Sequence, residues 1–400
     1  MQPGLAQLVL LITATDDSKT TKAPETEGYK LLTPLTLRDG LTLKNRVVLA
    51  PLTRARSDPV THVPNEINEL YYEQRAGSGL LITEGTSMSE EGHGWRGAPA
   101  IFNEAHVAGW KKVVDRVHAK DGKIFVQLWH IGRQGHSSHN SKNDLVSPSA
   151  VRLESGHAKN NKGEYVPYET PRALRTEEIP RIAEDFRKSA ELAKRAGFDG
   201  IQLHTANGYL FDQFFQSVTN KRTDMYGGSF ENRARFFFTV LDEVKKVWPP
   251  NRISVRLSPN GSFAGMGSPD NADFFTYLME RLSTVGLAFV EIIDGFGFGY
   301  HDKGRLLTAL DAKKAFKGPV LVNGSYARDT AEGVVRSGAA DFVAFGRLHM
   351  SNPDLAERFK NDWPVAPEPG YEAYWDPAKG AAGYTDFPAY SPSLDVHIDK

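Results

Sequence analysis

Three polar residues within six positions, His204, Asn207 and Tyr209, form the part of the sequence best equipped for chemistry. They close the stretch FDGIQLHTANGYLFD (Phe198–Asp212), which opens as an apolar strand-like run and ends as a helix start. An imidazole and a carboxamide three residues apart share a face on a helical turn and can grip one atom together. A phenol two positions beyond can reach the same small molecule and deliver a proton to it. The ends of the other apolar runs add Thr53, Gly85, Gln127 with Trp129, Arg256, Gly324, and Gly346 with Arg347. That set holds no carboxylate pair for glycoside hydrolysis, no His/Asp cage for a hydrolytic metal and no Schiff-base lysine. It does hold hydrogen-bonding groups suited to a flat ring with polar edges. In VNGSY and FGR, glycine amides and a guanidinium come together as they would to bind a phosphate.

Eight short apolar runs carry these residues: Val47–Pro51, Gly79–Gly85, Lys123–His130, Gly200–His204, Arg252–Ser258, Ala288–Asp294, Pro319–Gly324 and Asp341–Gly346. Near-continuous apolar runs of this length suit parallel strands covered on both faces. Helical periodicity is predicted over 65–75, 104–120, 178–195, 230–247, 272–284, 308–316, 330–337 and 353–361, several with Ser, Asn or Asp at the start. Eight strand–helix pairs predict a closed (β/α)8 TIM barrel, one domain over residues 29–390. The strand C-termini then line a single mouth. The insertion after strand 3, roughly Gly135–Pro180, is rich in Ser, His, Asn, Lys, Gly and Pro and is expected to be a lid or substrate wall.

The 400 residues are 40% hydrophobic and 24% charged, with a formal net charge of −1. This balance gives no basic footprint for nucleic acid. The chain has no cysteine, which excludes disulfides, thiolate zinc sites, iron–sulfur clusters and cysteine nucleophiles. No run reaches the ~18 apolar residues of a membrane span. Residues 1–28 are expected to be a disordered tail, and 391–400 a second tail. The run Leu5–Ala14 has the length of a signal-peptide core, yet no Lys or Arg precedes it, so a cytoplasmic location is expected over a targeting remnant. The triplets starting at Asn260 and Asn323 match the glycosylation pattern but fall at strand ends facing the site.

A ring held by Thr, Gln and Arg, with a phosphate beyond strands 7 and 8, describes flavin mononucleotide. The motifs APLTRAR (Ala50–Arg56), QLWHIGR (Gln127–Arg133), LHTANGYL (Leu203–Leu210), NKRTDMYGGSFENRARF (Asn220–Phe236), VRLSP (Val255–Pro259), FGRLHMSNPDL (Phe345–Leu355) and GYTDFP (Gly383–Pro388) closely resemble the Old Yellow Enzyme family of FMN-dependent NAD(P)H ene-reductases, of 12-oxophytodienoate reductase-like or N-ethylmaleimide reductase-like type. The resemblance runs from about Leu32 to Pro388. It implies that Thr53 bonds the flavin O4, Gln127 the pyrimidine edge and Arg256 the N1/O2 side. Pro51 and Gly85 would touch the ring through their backbone, and Gly324, Gly346 and Arg347 would bind the phosphate. His204 and Asn207 would hold a substrate carbonyl or nitro oxygen, Tyr209 would supply the proton, and Trp129 would line the pocket. Phenols would bind over the flavin as anions.

The partners so implied are an enone and a nicotinamide nucleotide, with no nucleic acid, membrane or metal, in a monomer or homodimer. The absence of cysteine sets the chain apart from iron–sulfur relatives. Thr53 and the His/Asn pair resemble yeast and plant members. One departure is Pro377, where members often carry a tyrosine over the substrate; Tyr374 or Trp375 is the expected replacement. A turnover-deficient flavin sensor and a flavin-free barrel isomerase or lyase are the competing readings. His136, His139 and His157 are expected in a solvated loop, Arg233 and Arg235 in ion pairs, and GFGFGY (Gly295–Tyr300) in a loop after strand 6.

Overall fold

Runs apolar on both faces become parallel strands when helices cover one face and a closed barrel encloses the other. The computed structural model describes residues 26–295 and 299–391 and shows that arrangement. The barrel strands are β1 (Val47–Leu49), β2 (Leu80–Ser87), β3 (Ile124–Trp129), β4 (Gly200–His204), β5 (Ile253–Leu257), β6 (Phe289–Ile293), β7 (Val320–Asn323) and β8 (Phe342–Phe345). Each pairs in parallel with its successor, and Val343 on β8 meets Val47 on β1 to close the ring. The long apolar run Leu5–Ala14 and the Phe296–Phe298 part of the glycine-rich loop lie outside the described residues.

The predicted helices form as α1 (Glu66–Gln74), α2 (Glu104–Ala119), α3 (Ile179–Arg195), α5 (Phe230–Lys245), α6 (Asn271–Leu282), α7 (Ala309–Phe316), α8 (Arg328–Arg336) and α10 (Leu355–Asn361), with two short additions, α4 (Leu210–Phe215) and α9 (Arg347–Ser351). Side chains of Asn65, Asn103, Ser229 and Thr308 accept from the first free amides of their helices, as the sequence pattern predicts. Among the described residues no helix is long and apolar enough to cross a membrane.

The barrel interior is layered because side chains alternate along each strand. Val48, Leu80, Phe125, Phe289, Leu321 and Phe342 fill the lower layer. Leu37, Leu41 and Leu43 of a two-stranded hairpin join that cluster and close the N-terminal end. Two residues further along the strands the interior turns polar, with Gln127, Gln202, Arg256, Glu291 and Asn323. The site stands on that layer. Thr26 and Gly28, at the end of the expected tail, are already tied to the barrel, through Lys360 O and the Arg336 guanidinium.

The insertion after β3 forms two small two-stranded sheets, pairing Val146–Ser147 with Arg172–Ala173 and Ala158–Lys159 with Tyr165–Val166. It lies at the mouth as expected. The C-terminal segment is pinned by the first motif: Arg54 donates to Ala373 O and Gly383 O, and Arg56 to Gly380 O and Tyr374 O. Tyr384 stacks on Tyr71 at 4.2 Å beneath the Arg54 guanidinium.

Candidate active site

A cleft of about 410 Å³ opens at the C-terminal ends of the strands and is mainly apolar in its walls. Its floor is the polar layer. Arg256 donates through Nε to Glu291 Oε1 at 2.9 Å and through a terminal nitrogen to Asn323 Oδ1 at 2.9 Å. Gln202 donates to Glu291 Oε2 at 2.9 Å, and Gln127 donates to Gln202 Oε1 at 2.7 Å. Asn323 in turn donates to Ala344 O. Asn260 donates to Leu307 O, so both carboxamides of the glycosylation triplets are committed inside the fold.

His204 ends β4 and is 5% exposed, with Nδ1 lacking any protein partner. Burial, helped by the Arg256 charge, holds its pKa well below the ordinary histidine range. A neutral imidazole keeps one N–H to donate. Asn207 and Tyr209 line the same cleft, but not as neighbours on a helical turn. Asn207 sits in a tight turn at φ 58°, and α4 begins only at Leu210. Asn207 and Gly208, at φ 58° and 72°, are residue types that tolerate that left-handed step over continued helix. Ser258 accepts from Asn207 N at 2.7 Å, Gln134 donates to Asn207 O at 2.7 Å, and buried Asp212 accepts from Gly208 N at 2.8 Å. Burial raises the Asp212 pKa to about 6. The Tyr209 ring stands edge-on to Trp129 at 5.3 Å and to His204 at 4.8 Å. Burial pushes its hydroxyl pKa above the ordinary 10, so the proton stays on the oxygen in the resting protein.

Thr53 and Pro51 follow β1 and line the opposite side of the cleft. Their loop is held by Glu84, a buried carboxylate on β2 that accepts from Arg54 N and Ala55 N at 3.0 and 2.9 Å. Gly85 faces Gln127 across a register shift in β2, and a β-carbon there would press on the Trp129 indole at 3.2 Å. At the far end, Gly324 and Ser325 run at φ 149° and 60°, and a β-carbon on Gly324 would stand 2.5 Å from Gly295 N. Gly346 and Arg347 complete that end. The Arg347 guanidinium contacts Ser325 Oγ at 3.3 Å and pairs with Glu368 at 3.1 Å. A polar floor, a threonine flank and a glycine turn beside an arginine fit an isoalloxazine with its ribityl phosphate.

Every residue singled out in the sequence for this mouth except Gly85 lines the one cleft, and Gly85 lies directly behind Trp129. Trp95, Tyr168, Trp375 and Tyr326 were not singled out or were left open, and all four line it. Trp375, edge-on to Trp95 at 5.6 Å, occupies the wall where Pro377 left the sequence reading open. Gln202 and Glu291 were also missed, and Asn323 was noted only as part of a glycosylation triplet, although counting in steps of two from Phe125, Phe289 and Leu321 reaches their layer. Arg233 pairs with Asp270 at 2.6 Å and Arg235 with Glu231 at 3.6 Å. His139 meets Lys159 O and His136 meets Ser138 within the insertion.

Fold and cleft together define a barrel enzyme that seats a flat, polar-edged ring at the strand C-termini. Residues 30–365 match the family described as NADH:flavin oxidoreductase / NADH oxidase, and the chain belongs to that family, the Old Yellow Enzyme group. It is an FMN-dependent oxidoreductase that takes NAD(P)H as donor. It is 38% identical over 379 residues to putative 12-oxophytodienoate reductase 2 of Oryza sativa subsp. japonica, spanning 92% of this chain and 96% of the relative. It is 36% identical to 12-oxophytodienoate reductase 2 of Arabidopsis thaliana, over 91% and 96% of the two chains. Among solved structures, morphinone reductase superposes with a TM-score of 0.84 at 39% identity, covering 91% of this chain and 97% of that one. The Old Yellow Enzyme homologue of Zymomonas mobilis superposes with a TM-score of 0.85 at 40% identity, over 90% and 100%.

Proposed function

We propose that this protein reduces the C=C bond of α,β-unsaturated carbonyl or nitro compounds. His204 and Asn207 hold the activating oxygen, and Tyr209 delivers the proton to the carbon beside that group. Bound FMN supplies the hydride that it receives from NAD(P)H. Thr53, Gln127 and Arg256 would hold the ring by its polar edges, with Pro51 and Gly85 against it. Gly324, Gly346 and Arg347 would hold the phosphate. Trp129 would wall the substrate, facing Trp375 and Tyr168 across the mouth.

The observation that carries this reading is the convergence of His204, Asn207 and Tyr209 on one cleft above the Gln127–Arg256 floor, with the Tyr209 ring edge-on to the imidazole. Neutral imidazole and carboxamide N–H donors in an apolar cleft stabilise an oxygen that gains negative charge as the double bond is reduced. The names of the relatives point to cyclic enones, and the aromatic walls of the mouth suit such rings. Anaerobic turnover of FMN-replete protein with 2-cyclohexenone and NAD(P)H tests the proposal. Stoichiometric cyclohexanone is expected; recovery of the allylic alcohol, or no product, overturns it.

A further inference from the structure

The floor of the cleft contains a carboxylate that the activity does not call for. Glu291 is fully buried on β6, and its partner Arg256 is the only cation with which it makes a direct ion pair among the described residues. Each Glu291 oxygen accepts from an N–H donor: Oε1 from Arg256 Nε and Oε2 from Gln202 Nε2, both at 2.9 Å. The Arg256 guanidinium against Oε1 favours the carboxylate, opposing the burial that raises the Glu291 pKa. Burying a charge in this way is costly unless it is paired and hydrogen-bonded. Here it is both, which ties the negative charge to Arg256.

The same carboxylate sets the direction of an amide chain. Glu291 can only accept, so Gln202 must present its nitrogen to it. Gln202 Oε1 is then the acceptor for Gln127 Nε2 at 2.7 Å. The end of Gln127 not committed to this chain is its carbonyl oxygen, and Gln127 lines the cleft. An acceptor there matches the N3–H of a flavin pyrimidine. An amide chain anchored on a neutral residue would have no such fixed direction.

We propose that Glu291 is a positioning residue: as the buried counter-charge of Arg256, it sets the reduction potential of bound FMN, and through Gln202 it turns the Gln127 carbonyl oxygen toward the pyrimidine edge. This rests on FMN occupying the cleft as assigned above. Arg256 would favour the negative charge that the ring gains on reduction, and Glu291 opposes it. The potential of the bound cofactor is therefore lower than Arg256 alone would give.

Glu291→Gln removes the charge at nearly constant volume. With FMN bound, its ratio of reduced-to-oxidised affinity should rise at least about tenfold, an upward shift of about 30 mV for a two-electron couple. Anaerobic titration against a reference dye reads this directly, without turnover. Glu291→Asp keeps the charge and should stay close to the wild-type potential. A merely structural role would weaken both redox states alike, so an FMN-replete Glu291→Gln protein with the wild-type potential overturns the proposal. If Glu291→Gln does not fold, Gln202→Met cuts the chain to Gln127 while leaving the Glu291–Arg256 pair. Oxidised FMN should then bind at least about tenfold more weakly, and affinity within about twofold of wild type overturns the proposal. Wild-type protein that takes up no FMN would instead overturn the cofactor assignment beneath it.

Discussion

Replacing Asn207 separates what its carboxamide does from what its backbone does. Asn207 is held at φ 58°, with its N–H on Ser258 Oγ and its carbonyl accepting from Gln134. Alanine in the left-handed region costs about 1–2 kcal/mol, whereas glycine adopts it freely. Asn207→Ala should therefore unfold more readily than Asn207→Gly by about 1 kcal/mol, which urea titration resolves. If the carboxamide donates to a charged oxygen in the cleft, both variants lose about 1.5–3 kcal/mol of ligand binding. That is about a 10- to 150-fold rise in Kd. A substituted phenolate, titrated through its long-wavelength charge-transfer band with the flavin, gives that constant. The expected pattern is equal loss of phenolate binding in the two variants with unequal stability. Should glycine restore the affinity that alanine loses, the turn conformation and not the side chain governs binding, and the clamp assignment fails.

Tyr209→Phe should leave flavin reduction by NAD(P)H nearly unchanged and slow reoxidation by an enone about 10²–10⁴-fold, the usual share of a positioned general acid. Stopped-flow traces showing equal slowing of both half-reactions would assign the residue a structural role. Gly324→Ala should yield folded protein that fails to retain FMN, because the added carbon meets Gly295 backbone at 2.5 Å; full flavin content after gel filtration would contradict this. Asp212 titrates near pH 6 in the fold against an ordinary 3.8, so the native state holds the extra proton between those values and this group's contribution to stability falls as pH rises through them. At 1.36 kcal/mol per pH unit that gap amounts to about 3 kcal/mol. Asp212→Asn should gain that much on wild type between pH 4 and pH 7 in urea unfolding, and a pH-independent difference would refute the raised pKa.

The strands and most helices were legible because covered parallel strands and capped amphipathic helices leave local patterns. The runs Val47–Pro51 through Asp341–Gly346 needed no partner to be recognised, and their ends supplied the mouth residues in order. Local spacing misled at His204 and Asn207. The sequence offered a helical turn, while Ser258, Gln134 and Asp212, drawn from three other elements, hold a left-handed one. Trp375 reaches the cleft only because Arg54 and Arg56, more than 300 residues earlier in the chain, bind the carbonyls around it. Glu291 reads in sequence as one charged residue within an apolar strand. Its meaning depends on Arg256 and Gln202 arriving beside it from β5 and β4 at matching height, which strand tilt and register in the closed barrel decide.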